Sequence, residues 1–158
     1  MLWVKTFFGI LFQTILLGIF LYLPALTLNW PDALLFLTIH FLITILASAY
    51  LLIVKPASIE ARMNYDSETQ PKEDRLATFL MLSAIVVGLS LAPIDIFHLN
   101  LSSNFEGNIK NIGLAIYIIG MLFFMASMNA NEFAETTVNI QEERGQKVID
   151  TGIYSIVR

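Results

Sequence analysis

The chain contains no cysteine, which removes disulfides, thiolate metal sites and cysteine nucleophiles from consideration. It is also poor in charge: Lys, Arg, Asp and Glu make up 14% of its 158 residues. A soluble domain carries about 25%. Its two histidines, His40 and His98, lie far apart with no ligand partner at metal spacing, so no metal site is expected. No basic stripe with interleaved aromatics is present, and nucleic-acid binding has no footprint. No Gly-x-Gly-x-x-Gly follows a strand-like run, which excludes a soluble Rossmann-type nucleotide site. The net charge of −4 says little, because the charges sit between apolar runs.

Those runs are what the sequence has in excess. Hydrophobic residues reach 56%, against about 45–50% in soluble domains. They are gathered into stretches near the roughly 20 residues that a bilayer-crossing helix needs. Spans are read at about residues 7–28, 33–54, 76–92 and 111–128, which gives an all-α polytopic membrane protein with four transmembrane helices. The first run is too long for the apolar region of a cleaved signal peptide, about 7–15 residues, and reads as a retained anchor. Pro24 is expected to kink its last turns, and residues 29–32, Asn-Trp-Pro-Asp, to make a tight turn with an interfacial tryptophan.

Positive charge sets the expected orientation, since short loops rich in Lys and Arg stay cytoplasmic. Lys5, Lys55, Arg62, Lys72, Arg75, Arg144, Lys147 and Arg158 fall on one side, and only Lys110 on the other. Both termini are therefore expected in the cytoplasm. The polar stretch 55–75 reads as a solvated cytoplasmic loop, with Ile59, Met63 and Tyr65 able to rest on the membrane surface. Residues 93–110 read as a loop on the far side, where His98 is expected to be simply solvated. His40 lies inside the second span and is expected to hydrogen-bond a neighbouring helix. Gly113, Gly120 and Ser127, at intervals of seven, and Ala84 with Gly88 place small residues along helix faces. Ordinary packing within the bundle is the plainer reading of these faces, and a homodimer interface the other.

Residues 129–158 differ in character from residues 1–128. A polar helix is expected to leave the membrane on the cytoplasmic side, to stop at Gly145, and to give way to a short extended piece, a Thr-Gly turn and an amphipathic restart. The order Gln141-x-x-x-Gly145-x-x-Val148, then Asp150-Thr151-Gly152-x-Tyr154, then Arg158 resembles the central motif of the isoprenylcysteine carboxyl methyltransferase family. That superfamily also includes phospholipid N-methyltransferases. Upstream, Lys55-Pro-x-x-Ile-x-x-Arg62 and Asn131-x-Phe133 are similar to its bacterial branch.

The resemblance implies an integral membrane methyltransferase that uses S-adenosyl-L-methionine. Its acceptor would be lipidic or amphiphilic and methylated at a carboxyl, amine or thiol group. It implies a cytoplasm-facing cofactor wall in which Gln141 contacts the cofactor from a helix end. Gln146, Lys147, Val148 and Ile149 would line the wall largely through backbone groups, and Gly152 would permit the preceding turn. Tyr154 would pack on or hydrogen-bond the cofactor, and Arg158 would begin a further signature. Position 146 is often histidine in the family, so glutamine departs from the pattern there. Family members continue past this point with a His-Pro-x-Tyr motif and two more membrane helices, which implies that residues 1–158 alone are catalytically incompetent. A bacterial cytoplasmic membrane is the expected location. Two other readings stay open: a four-helix scaffold or partner subunit without catalysis, and an NADPH-dependent enzyme like the sterol reductases.

Overall fold

Each long apolar run of the sequence folds into one helix. The computed structural model describes residues 1–63, 72–101, 108–131, 133 and 148–156. Among these, α1 is Leu2–Ala25, α2 is Pro31–Val54, α3 is the short Pro56–Met63, α4 is Lys72–Ile94 and α5 is Asn108–Ala130. No strand occurs among the described residues. A 24-residue helix such as α1 or α2 extends about 36 Å at about 1.5 Å per residue, enough to cross a hydrocarbon layer of about 30 Å. Local sequence explains the helix boundaries. α1 stops just after Pro24, which cannot donate back to Phe20, and Leu26 caps it in the left-handed region at φ 54°. α2 starts on Pro31 at a first-turn position, where a missing N–H costs nothing.

Side-by-side packing joins α4 to α1, α1 to α2 and α2 to α5, so the helices stand in the order α4, α1, α2, α5. No packing contact joins α4 directly to α5 among the described residues. The outer helices are consequently bare on most of their circumference, with Phe79 on α4 and Ile116 on α5 each 65% exposed. In water such surfaces would drive aggregation; in lipid they are the expected exterior. The molecule is an all-α, multi-pass membrane protein with four helices long and apolar enough to span a bilayer.

The ends of the spans differ from the sequence reading. α1 begins at Leu2 rather than near residue 7, and it takes in Lys5. The segment from residue 93, expected as a loop, is helical: Pro93 lies inside α4, and a π turn, Asp95–Leu99, carries the chain on to Asn100. Pro93 withdraws one N–H from the ladder, and the next turn widens to bonds of the i to i+5 type, with Asn100 N donating to Asp95 O at 2.7 Å. The other end of that expected loop is also helical from Asn108. In the stretch 55–75, residues 56–63 form α3. Ile59 is buried instead of resting on the membrane surface, whereas Met63 stays exposed, with its sulfur 3.6 Å from the Thr6 hydroxyl of α1. Tyr65 lies outside the described residues.

Candidate functional site

The stretches that carry the motif resemblance are far apart in sequence, and their described parts meet at one end of the bundle, here called the Lys55 end. The helical period accounts for the first of them. Lys55, Ile59 and Arg62 are spaced at i, i+4 and i+7 and so share one face. Each side chain on that face meets α5. Lys55 Nζ donates to the Asn129 carbonyl at 2.5 Å, one of the carbonyls that a helix end leaves without an intrahelical partner. Ile59 joins Leu51, Leu52 and Met128 in a buried cluster, with Leu2 packed against it. The Arg62 guanidinium lies 5.8 Å from the Phe124 ring centre, within cation–π range.

The chain leaving α5 stays beside this cluster. Asn131 N donates to Ser127 O at 2.9 Å, and the Asn131 side-chain oxygen accepts from Phe133 N at 2.9 Å, a side-chain turn that folds the backbone over. Phe133 is buried. Further on, Val148–Asp150 is irregular, and Gly152–Ser155 makes one 3-10 turn packed on α5. Gly152 is required there on two counts. Its φ is +63°, and a Cβ would come within 3.2 Å of the Ala130 side chain. The Ser155 hydroxyl donates to Gly152 O at 2.7 Å and closes the turn, which leaves Tyr154 half-buried.

Of the cofactor wall expected from sequence, Val148, Ile149, Gly152 and Tyr154 are described, and all four belong to this segment on the α5 end. Val148 is 83% exposed and Ile149 half-buried. Gln141, Gln146, Lys147 and Arg158 lie outside the described residues, as do Gly145 and most of the polar helix expected before it. At the described start of that helix α5 ends at Ala130, and Asn131 and Phe133 are not helical, because the Asn131 side chain turns the backbone. Sequence reasoning missed Ser58, which is 1% exposed and whose hydroxyl has no hydrogen-bond partner among the described residues. A serine in a polar stretch carries no periodic signal of burial.

Two histidines resolve differently. His40 is buried, and its Nδ1 hydrogen-bonds the Tyr117 hydroxyl of α5 at 2.5 Å, so the expected bond to a neighbouring helix is present. His98 is not merely solvated: on the π turn, its Nε2 donates to Pro24 O at 2.7 Å and ties α4 to the end of α1. The small-residue faces do not serve close packing between the described helices. A Cβ built on Gly88, Gly113 or Gly120 meets nothing within 4 Å. Among the described residues no group of three or more His, Asp or Glu could hold a metal ion.

Fold and surface together define a class: a multi-pass helical membrane protein with a buried apolar cluster at one end, flanked by Lys55 and Arg62. Compared with known proteins, the chain matches no family model, no curated protein and no solved structure.

Proposed function

We propose that the protein is a membrane-embedded methyltransferase that uses S-adenosylmethionine and belongs to the isoprenylcysteine carboxyl methyltransferase type. Its Lys55 end faces the cytoplasm, and its acceptor is lipidic or amphiphilic. One observation carries the reading. Lys55-Pro-x-x-Ile-x-x-Arg62, Asn131-x-Phe133 and Asp150-Thr-Gly-x-Tyr154 each match the motif pattern in sequence, and all three lie around the last turns of α5. The orientation rests on the eight positive charges of that side.

The described residues suit such a donor in kind. Val148–Asp150 offers backbone groups outside any helix, Tyr154 an aromatic ring with a hydroxyl, and Ser58 a buried hydroxyl in search of a partner. S-adenosylmethionine, when bound, supplies a methyl group on a sulfonium. The protein has to align donor and acceptor and keep water away, which is where much of the acceleration of such a displacement arises. Lys55 and Arg62 bring positive charge to this end.

Thermal unfolding of the purified protein with S-adenosylmethionine, and separately with NADPH, tests the reading. Saturating donor at about a hundred times its dissociation constant should add about 2.7 kcal/mol of stability. Tyr154→Ala should remove most of that gain while leaving the unliganded protein folded. Stabilisation by NADPH alone would replace the proposal with the reductase reading. A second reading, a scaffold or partner subunit, has its own support: Gly88 on α4 and Gly120 on α5 face open space, where another helix could approach closely. Equal melting temperatures with and without either ligand would favour it.

A further inference from the structure

At the opposite end of the bundle, α2 and α5 diverge around a cavity of about 540 Å³. Its walls are apolar and aromatic, including Trp30, Phe36, Ile96, Leu114 and Tyr117. Gly113 forms part of α5 here, and a Cβ added to it meets open space, so an alkyl chain could lie along the bare backbone. Two charges line the same cavity. Lys110 Nζ and Asp32 Oδ2 pair at 2.5 Å between α5 and α2, with side chains 57% and 56% exposed. Size and lining are those of a ligand site, mostly apolar with a few convergent polar groups.

We propose that this cavity holds the headgroup end of one zwitterionic glycerophospholipid, bound as a structural lipid and independent of the cofactor reading at the Lys55 end. Charge complementarity selects the occupant. One carboxylate beside one ammonium matches a headgroup with one phosphate and one primary ammonium: the phosphate pairs with Lys110 and the lipid ammonium with Asp32. An anionic lipid would satisfy Lys110 through the same phosphate but bring no cation to the Asp32 carboxylate. A cationic amphiphile would show the reverse lack at Lys110. The location fits a lipid, because Trp30, Asp32 and Lys110 all lie within the first turn of their helices or beside it, where a bilayer turns from hydrocarbon to headgroup. Phe36 and Tyr117 stand deeper, one to two turns along α2 and α5, in position to flank the first methylenes.

Native mass spectrometry of the delipidated, detergent-solubilised full chain provides the test. The probes are phosphatidylethanolamine and phosphatidylglycerol with identical acyl chains. Phosphatidylethanolamine should be retained at a concentration about two- to threefold lower, the worth of one solvent-exposed ion pair. Asp32→Asn should erase that preference. Gly113→Leu, which fills the cavity from a helix position that tolerates a side chain, should abolish retention of both lipids. Gly120→Leu, on open helix surface outside the cavity lining, should leave retention as in the parent chain. Equal retention of the two lipids by the parent chain, or unchanged retention after Gly113→Leu, overturns the proposal.

Discussion

The two ends of the bundle are held by different physics. At the Lys55 end, buried aliphatic side chains from α2, α3 and α5 close on one another, and a lysine covers a carbonyl at the end of α5. At the Trp30 end the buried residues are the dispersed Leu21, Ala25, Ala33 and Pro93, and aromatic edges and polar bonds join them: Trp30 stands edge-on to Phe97 at 5.2 Å and to Tyr22 at 6.2 Å, His98 reaches Pro24, and Lys110 reaches Asp32. The contrast follows from the solvent. Between helices in lipid the hydrophobic drive is missing and packing and hydrogen bonds remain, so hiding apolar surface from water adds stability where the chain emerges from the bilayer. α3 is that place: a short helix with one apolar face, folded back onto the ends of the spans. The Trp30 end has no such docked helix among the described residues, and amphipathic aromatics do the anchoring.

The largest effect should come from breaking the stronger end. Ile59→Asp would put a carboxylate among Leu51, Leu52 and Met128, all less than 10% exposed. An uncompensated buried charge of this kind costs about 3 kcal/mol, read as a fall in melting temperature in detergent or in the midpoint of denaturant unfolding. A loss under about 1 kcal/mol would mean that α3 swings away without consequence, and the proposed difference between the ends would vanish.

The long runs made the four spans legible, because a period-independent apolar stretch has few meanings at that length. Their ends were not. Pro93 reads locally as a helix stop, yet the preceding turns keep their partners and the next turn re-pairs as a π turn, a compromise that only the surrounding packing selects. His98 looked like a loop residue for the same reason. Ile59 sits among charges, so its neighbours in sequence suggested an interface rather than a core; Met128, which helps to bury it, is far away in the chain, as is Thr6, which the exposed Met63 touches. At the candidate site, Gly152 was legible as a turn glycine and the Lys55–Arg62 face as a motif. That α5 collects both was not, because helix adjacency in the order α4, α1, α2, α5 is written in contacts rather than in composition.

A middle-sized effect probes the level between the two ends. Tyr117→Phe removes the hydroxyl that His40 meets and leaves a buried imidazole without that bond. Hydrogen bonds between membrane helices average about 0.6 kcal/mol and reach about 1.7 kcal/mol, so a loss of about 1 kcal/mol is expected. A cycle with His40→Phe separates the pair from its parts: the double variant should be less damaged than the two single losses summed. Strict additivity would show that the two rings stabilise the bundle independently, as neighbours of Phe36 rather than as a bonded pair.

The smallest expected change is at the Trp30 end. Asp32 and Lys110 form a close ion pair across α2 and α5, but both side chains are more than half exposed. Water and salt screen such a pair, and ordering two flexible side chains offsets most of the attraction, so Asp32→Asn should change stability by less than about 0.5 kcal/mol. Raising the salt concentration should shrink even that difference. The small number sharpens the contrast between the ends, because a pair that adds so little to stability is free to exchange partners. If Asp32→Asn instead lowered stability by as much as Ile59→Asp, the ion pair would have to be shielded from water as the Ile59 cluster is. The Trp30 end would then be a second closed core instead of an open, exchangeable rim.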